Sequence, residues 1–161
     1  MLTLFADASF SLNPRKAGYG AWAIHDSWER GYSFGGKLPL SLTNSTMAEV
    51  LAIAGAIEHL RRVQKWPKDT VMIQSDSHHA LSALKGNLPN ARVNNHKRHS
   101  VDFSLRSPCL SPLEREAVEY VAHATFGVQV YLRHIKGHTQ GEGRNWVNAL
   151  CDRLARKYAN A

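Results

Sequence analysis

The chain has 161 residues, 43% of them hydrophobic, which suits one globular domain over residues 1–161, since two would leave each core undersized. No run approaches the roughly 18 apolar residues that a membrane helix needs, and residues 1–7 lack the basic n-region of a signal peptide. A formal charge of +7 and a pI near 9.7 favour a polyanionic partner, because each phosphate met by Lys or Arg releases counterions.

In chain order, residues 2–10 form an apolar run broken by Asp7 and read as a strand. Residues 11–18 hold Asn13-Pro14 and end in glycine, which predicts a turn. Residues 19–25 and 32–38 read as antiparallel partners. The polar stretch 41–46 leads into a helix over 47–63, where Val50, Leu51, Ala54, Ile57 and Leu60 keep helical spacing. A short strand at 71–73 runs into Gln74-Ser75-Asp76, and Ser77 is placed to cap a helix ending near Leu84. Residues 86–111 show little periodicity and read as a long loop, with or without a short helix. A helix over 113–125, a strand over 128–135 and a helix over 144–158 complete the chain. Three opening strands followed by alternating helix and strand predict an α/β fold, a mixed sheet covered by helices on both faces.

With only 13 Asp and Glu in the chain, those inside apolar elements are informative. Asp7 lies within a strand, where an ionised carboxylate is costly unless something positive is near. Asp76 follows an apolar strand, Glu49 opens the long helix and Asp152 lies in the last one. On local grounds Asp76 also reads as a strand terminator or cap, Glu49 as a first-turn glutamate favoured by the helix dipole, and Asp152 as a solvated helix residue. If the four converge they repel one another until cations neutralise them. Two Mg²⁺ ions roughly 4 Å apart would do so and create a phosphodiester-hydrolysis site. Oxygen ligands and a substrate phosphate suit magnesium, with Mn²⁺ as a substitute.

Four motifs occur in order: Asp7-Ala8-Ser9 with Asn13 and Gly18-Tyr19-Gly20; Thr43-Asn44-Ser45-Thr46-Met47-Ala48-Glu49; Ser75-Asp76-Ser77; and Lys136-Gly137-His138 followed by Asn148-Ala149-Leu150-Cys151-Asp152. Along nearly its whole length the sequence resembles the ribonuclease H type 1 family, bacterial type. The resemblance implies an RNase H-like fold with a five-stranded mixed sheet in the order 3-2-1-4-5. It implies an endonuclease that hydrolyses the RNA strand of RNA–DNA hybrids with two metal ions, leaving 5′-phosphate and 3′-hydroxyl ends. Asp7, Glu49, Asp76 and Asp152 would form the metal cluster, and His138 would serve proton transfer or product release. Asn13, Asn44, Ser45 and Asn148 match or neighbour positions that touch the hybrid, and amides can read the 2′-hydroxyl. Thr43 matches a position gripping a DNA-strand phosphate.

The chain departs from the family pattern in three places. Ala8 stands where glycine is usual, the loop before Glu49 is one residue longer, and the segment from His138 to Asp152 is extended. His134 and His138 have the spacing of a zinc pair, but no cysteine or carboxylate completes a set. Lys85, Arg92, Lys97, Arg98 and Arg106 share the irregular stretch with a single acid, Asp102. Bacterial relatives carry a basic protrusion here, so Arg92, Lys97 and Arg98 are expected to hold the hybrid, against the plainer reading of a solvated loop. Two other functions fit the same fold: a hybrid-binding module without catalysis, and a different nuclease such as an exonuclease or resolvase. The four acids argue against the first, and Ser9 in place of an acid argues against an exonuclease. Cys109 and Cys151 are expected to be reduced thiols of a cytoplasmic monomer.

Overall fold

The computed structural model describes residues 1–93, 109–136 and 145–161. Strand β1 (Leu2–Leu12) turns through Asn13-Pro14, a cis peptide, into β2 (Arg15–His25), and β3 (Tyr32–Lys37) follows antiparallel. The β1–β2 ladder runs without interruption from Leu2↔His25 to Leu12↔Arg15. The hairpin is therefore longer and its turn tighter than the apolar pattern predicts, because backbone pairing continues past Phe10 through half-buried Ser11 and exposed Leu12.

Helix α1 (Ser45–Arg62) begins at Asn44, whose Oδ1 accepts from Met47 N at 2.9 Å. Strand β4 (Thr70–Ser75) leads to α2 (His78–Asn87), capped by Ser77 as expected. The irregular stretch contributes an addition: Arg92 and Val93 form β5, paired with Tyr131 and Leu132. Then come α3 (Pro112–Ala124), β6 (Gln129–His134) and α4 (Trp146–Ala159). Among the described residues the sheet has six strands in the order 3-2-1-4-6-5, not the five expected. A two-residue strand has no periodicity to reveal it, since its pairing is supplied wholly by the neighbouring strand.

The two faces of the sheet are covered unequally. Leu4, Ala6, Ala21 and Ala23 pack in one large core with Ile53 and Ile57 of α1, Leu81 and Leu84 of α2, and Val118 and Val121 of α3. The opposite face holds Phe5 with Val147 and Cys151 of α4, flanked by Trp22 and Ile135. Helix α4 lies tightly on β2 because Gly20 has no side chain: a Cβ there would fall 2.2 Å from Cys151 O.

Strands β1 and β4 are parallel and pair from Leu2↔Val71 to Phe5↔Gln74. Beyond that point β1 continues along β2, while β4 ends at Ser75. The sheet splits there, at the carboxyl end of β4, with Asp7 on one side and Asp76 on the other. Among the described residues no helix is long and apolar enough to cross a membrane.

Candidate active site

The split is a cleft of about 430 Å³ lined by Asp7, Ala8, Ser45, Thr46, Glu49, Asp76, Ser77, His78, His134 and Asp152. Each acid reaches it from a different element. Asp7 points from mid-strand, 5% exposed, and its Oδ1 accepts from Ala8 N at 3.0 Å. Glu49 stands past the first turn of α1, which holds no acid, so its helix-dipole reading fails. Asp76 sits in the turn between β4 and the Ser77 cap, so the Asp does not cap α2.

Carboxylate oxygens of Asp7, Glu49 and Asp76 lie within 4.8 Å of one another. Burial, then the charge of Asp76, pushes the Asp7 carboxyl up to about 7. Burial, then the charges of Asp7 and Asp76, holds Glu49 well above the usual carboxylate range. Glu49 Oε2 is buried with no hydrogen-bond partner among the described residues. An oxygen-only donor set with an orphaned buried atom fits a hard divalent cation, which would replace both the missing partner and the shared protons.

Asp152 lines the same cleft but stands outside the three-carboxylate group, and its Oδ2 pairs with Arg156 at 3.2 Å. Of the expected substrate residues, Ser45 lines the cleft. Asn44 spends its amide oxygen on the α1 cap, where Thr46 Oγ1 also donates at 2.6 Å, so only its NH₂ end remains for a substrate. Thr43 is exposed, with Oγ1 on Met47 Sδ at 3.1 Å, and Asn13 is exposed at the β1–β2 turn. Asn148 is buried on α4, and Arg92 is exposed on the sheet edge. His138, Lys97 and Arg98 lie outside the described residues. Sequence reasoning assigned no role to two residues of the cleft wall, His78 and His134. Their rings stack with centroids 3.9 Å apart. The two-residue offset of His78 from Asp76 was the available signal for it, whereas His134 reaches the cleft only through the β4–β6 register.

The family model described as RNase H matches residues 1–160. The chain belongs to the RNase H family. It is a ribonuclease H hydrolase, in agreement with the type 1 resemblance of its motifs. Solved structures share the fold at low identity. RNase H1 from the halophilic archaeon Halobacterium salinarum is 15% identical with a TM-score of 0.64, over 99% of this chain and 97% of that one. LC11-RNase H1, an enzyme isolated from compost and solved with an RNA/DNA hybrid, is 17% identical with a TM-score of 0.66, over 99% and 97%. The N-terminal RNase H domain of a Mycobacterium tuberculosis protein, solved as a maltose-binding-protein fusion, is 14% identical with a TM-score of 0.63, over 98% of each chain. No curated protein sequence matches this ribonuclease H.

Proposed function

We propose that this ribonuclease H cuts the RNA strand of RNA–DNA hybrids internally at the carboxylate cleft, leaving 5′-phosphate and 3′-hydroxyl ends. The observation that carries the reading is the group Asp7, Glu49 and Asp76, drawn within 4.8 Å and holding a buried oxygen without a hydrogen-bond partner among the described residues. Such repulsion is retained where a cation is to be bound. Two Mg²⁺ ions held there would acidify the attacking water and stabilise the leaving 3′ oxygen.

The chain's own groups do the rest. Asp7 is fixed by the strand and by its hydrogen bond from Ala8, so it offers a carboxylate that does not swing. Glu49 and Asp76 converge on it from a helix and a turn. Asp152, half-buried and paired with Arg156, would complete the set by exchanging that partner for the cation. Ser45 and the Asn44 NH₂ group at the α1 N-terminus face the RNA side, where donors to a 2′-hydroxyl separate RNA from DNA. His138 moves a proton or helps product leave. The complex of LC11-RNase H1 with an RNA/DNA hybrid supports hybrid binding by a protein of this fold.

The test is cleavage of an end-labelled hybrid with and without Mg²⁺, beside RNA duplex, DNA duplex and single-stranded DNA. Internal cuts confined to the hybrid's RNA strand and dependent on the cation are expected. Digestion of uniform single-stranded DNA would replace this reading with that of a different nuclease.

A further inference from the structure

Asp76 must face Asp7 and Glu49, yet it stands in a turn, where the local sequence leaves its backbone several choices. The turn is held from two directions. From within, Ser77 N donates to Ser75 Oγ at 3.0 Å, and Ser77 Oγ accepts from Ala80 N at 3.1 Å. From outside, β6 runs alongside: Ile135 N donates to Ser75 O at 2.9 Å, and the register sets Ser75 opposite His134.

His134 Nε2 lies 3.1 Å from the main-chain oxygen of Asp76. A carbonyl oxygen can only accept, so Nε2 carries the hydrogen in this contact. The ring is also fixed in plane by stacking on His78, at 3.9 Å between centroids and 22° between planes. The donor is therefore preorganised, and it grips the very peptide that bears the Asp76 side chain. The Ser75 contacts hold the strand end, whereas His134 reaches the Asp76 carbonyl itself.

We propose that His134 is a positioning residue that acts through Asp76: its Nε2–H anchors the Asp76 peptide, aims the carboxylate at Asp7 and Glu49, and so sets the cluster's affinity for divalent cations. His134, discounted as a zinc ligand from the sequence, thereby takes an indirect part in cation binding. Residues that orient a ligating group typically account for about 10–100-fold in metal affinity or activity.

Two substitutions separate the hydrogen bond from the ring. His134→Phe keeps a ring to stack on His78 and removes the donor. His134→Gln removes the ring and keeps an N–H able to reach the carbonyl. Calorimetric titration of Mn²⁺ into the nucleic-acid-free protein is paired with steady-state cleavage of the hybrid at fixed Mg²⁺, and melting temperature reports folding. H134F is expected to weaken cation binding about tenfold and lower kcat by a similar factor, with KM for the hybrid within about twofold, while H134Q recovers most of both. Should H134F not fold, His134→Asn, too short to reach Asp76, takes its place with the same expectation.

Unchanged Mn²⁺ affinity in the donor-less variant would overturn the proposal, and so would an H134Q as impaired as H134F, or a defect confined to KM. The kinetic arm rests on the cleavage reading above. The calorimetric arm does not, so a wild-type protein that binds Mn²⁺ but cuts no hybrid would defeat that reading and leave His134 separately tested.

Discussion

At the scale of single residues, the site is built against its own stability. Asp7 is 5% exposed, beside Asp76 and Glu49, and its carboxyl is pushed up to about 7 from an ordinary 3.8. A carboxyl raised by folding stabilises the fold fully below its unfolded value. That stability is lost as pH climbs through the folded value, here between about 4 and 7. Metal-free protein is therefore expected to melt at a lower temperature at pH 8 than at pH 5.5. Asp7→Asn should remove most of the drop, raising stability at pH 8 by on the order of 1–3 kcal/mol while abolishing cleavage. Melting curves at the two pH values check the first part and a hybrid assay the second; near-normal activity in Asp7→Asn would remove the site. The same protons must leave when a cation binds, so apparent Mg²⁺ affinity should rise from pH 6 to pH 8. Titrations of the free protein at both values measure that, and a flat profile would contradict the proton-laden cluster. Of these acids only Asp7, set within a strand, stood out by itself; the other three were legible through the ordered motifs rather than one by one. What local sequence misplaced was Glu49: its unfavourable burial beyond the first turn of α1, not the helix dipole, explains its chemistry.

At the scale of elements, the packing of α4 on β2 decides where Asp152 stands. Asp7 pairs with Gly20 across the β1–β2 ladder, and Gly20 touches the α4 backbone beside Cys151. A methyl group at Gly20 would sit 2.2 Å from Cys151 O and 2.6 Å from Leu154 Cβ, so the helix must retreat. Gly20→Ala is expected to cost about 1–3 kcal/mol by overpacking. It should also lower kcat more than a comparable destabilisation elsewhere, because the retreating backbone carries Asp152. Denaturant melts and kinetics on the same preparation test this, and a stable, fully active variant would show that the helix gap is slack. Helix α3 provides the contrast. Ser111 caps it in a capping box with Glu114, whose Oε1 accepts from Ser111 N at 3.2 Å. Burial works against the Glu114 charge, but hydrogen bonds from His79 and Ser111 outweigh it and hold the carboxyl below its ordinary range. Ser111→Ala should cost about 1 kcal/mol with cleavage unchanged under conditions where the protein stays folded. The caps at Asn44, Ser77 and Ser111 follow local rules, which is why helix starts were readable to within a few residues. Strand β5 and the length of the β1–β2 hairpin were not, because backbone pairing is a property of two strands and leaves little trace in either alone.

At the scale of the whole molecule, the +7 charge favours a polyanionic partner. Arg92 stands exposed on β5, the sheet edge beyond β6, while Arg15 and Lys16 open β2 directly after the β1–β2 hairpin turn. Neutralising Arg92, Lys97 and Arg98 together is expected to weaken hybrid binding. Its salt dependence should fall by about one in log–log slope for each phosphate that is no longer neutralised. Turnover at saturating substrate should hardly change. Binding isotherms across a salt series measure the slope, and an unaltered slope would return these residues to the solvated surface.

The sequence by itself determined the family and the α/β order and singled out the candidate acids, because strand and helix periods, caps and short motifs are written in neighbouring residues. Only the tertiary structure decided how those acids meet. Three close within 4.8 Å at the carboxyl end of β4, while Asp152 remains outside with Arg156. That difference arises from the parting of β1 and β4 beyond Phe5↔Gln74, the fit of α4 over Gly20 and the reach of His134 to the Asp76 carbonyl. Each of these joins residues far apart in the chain through packing or pairing, and no local pattern records such a meeting before the sheet has formed.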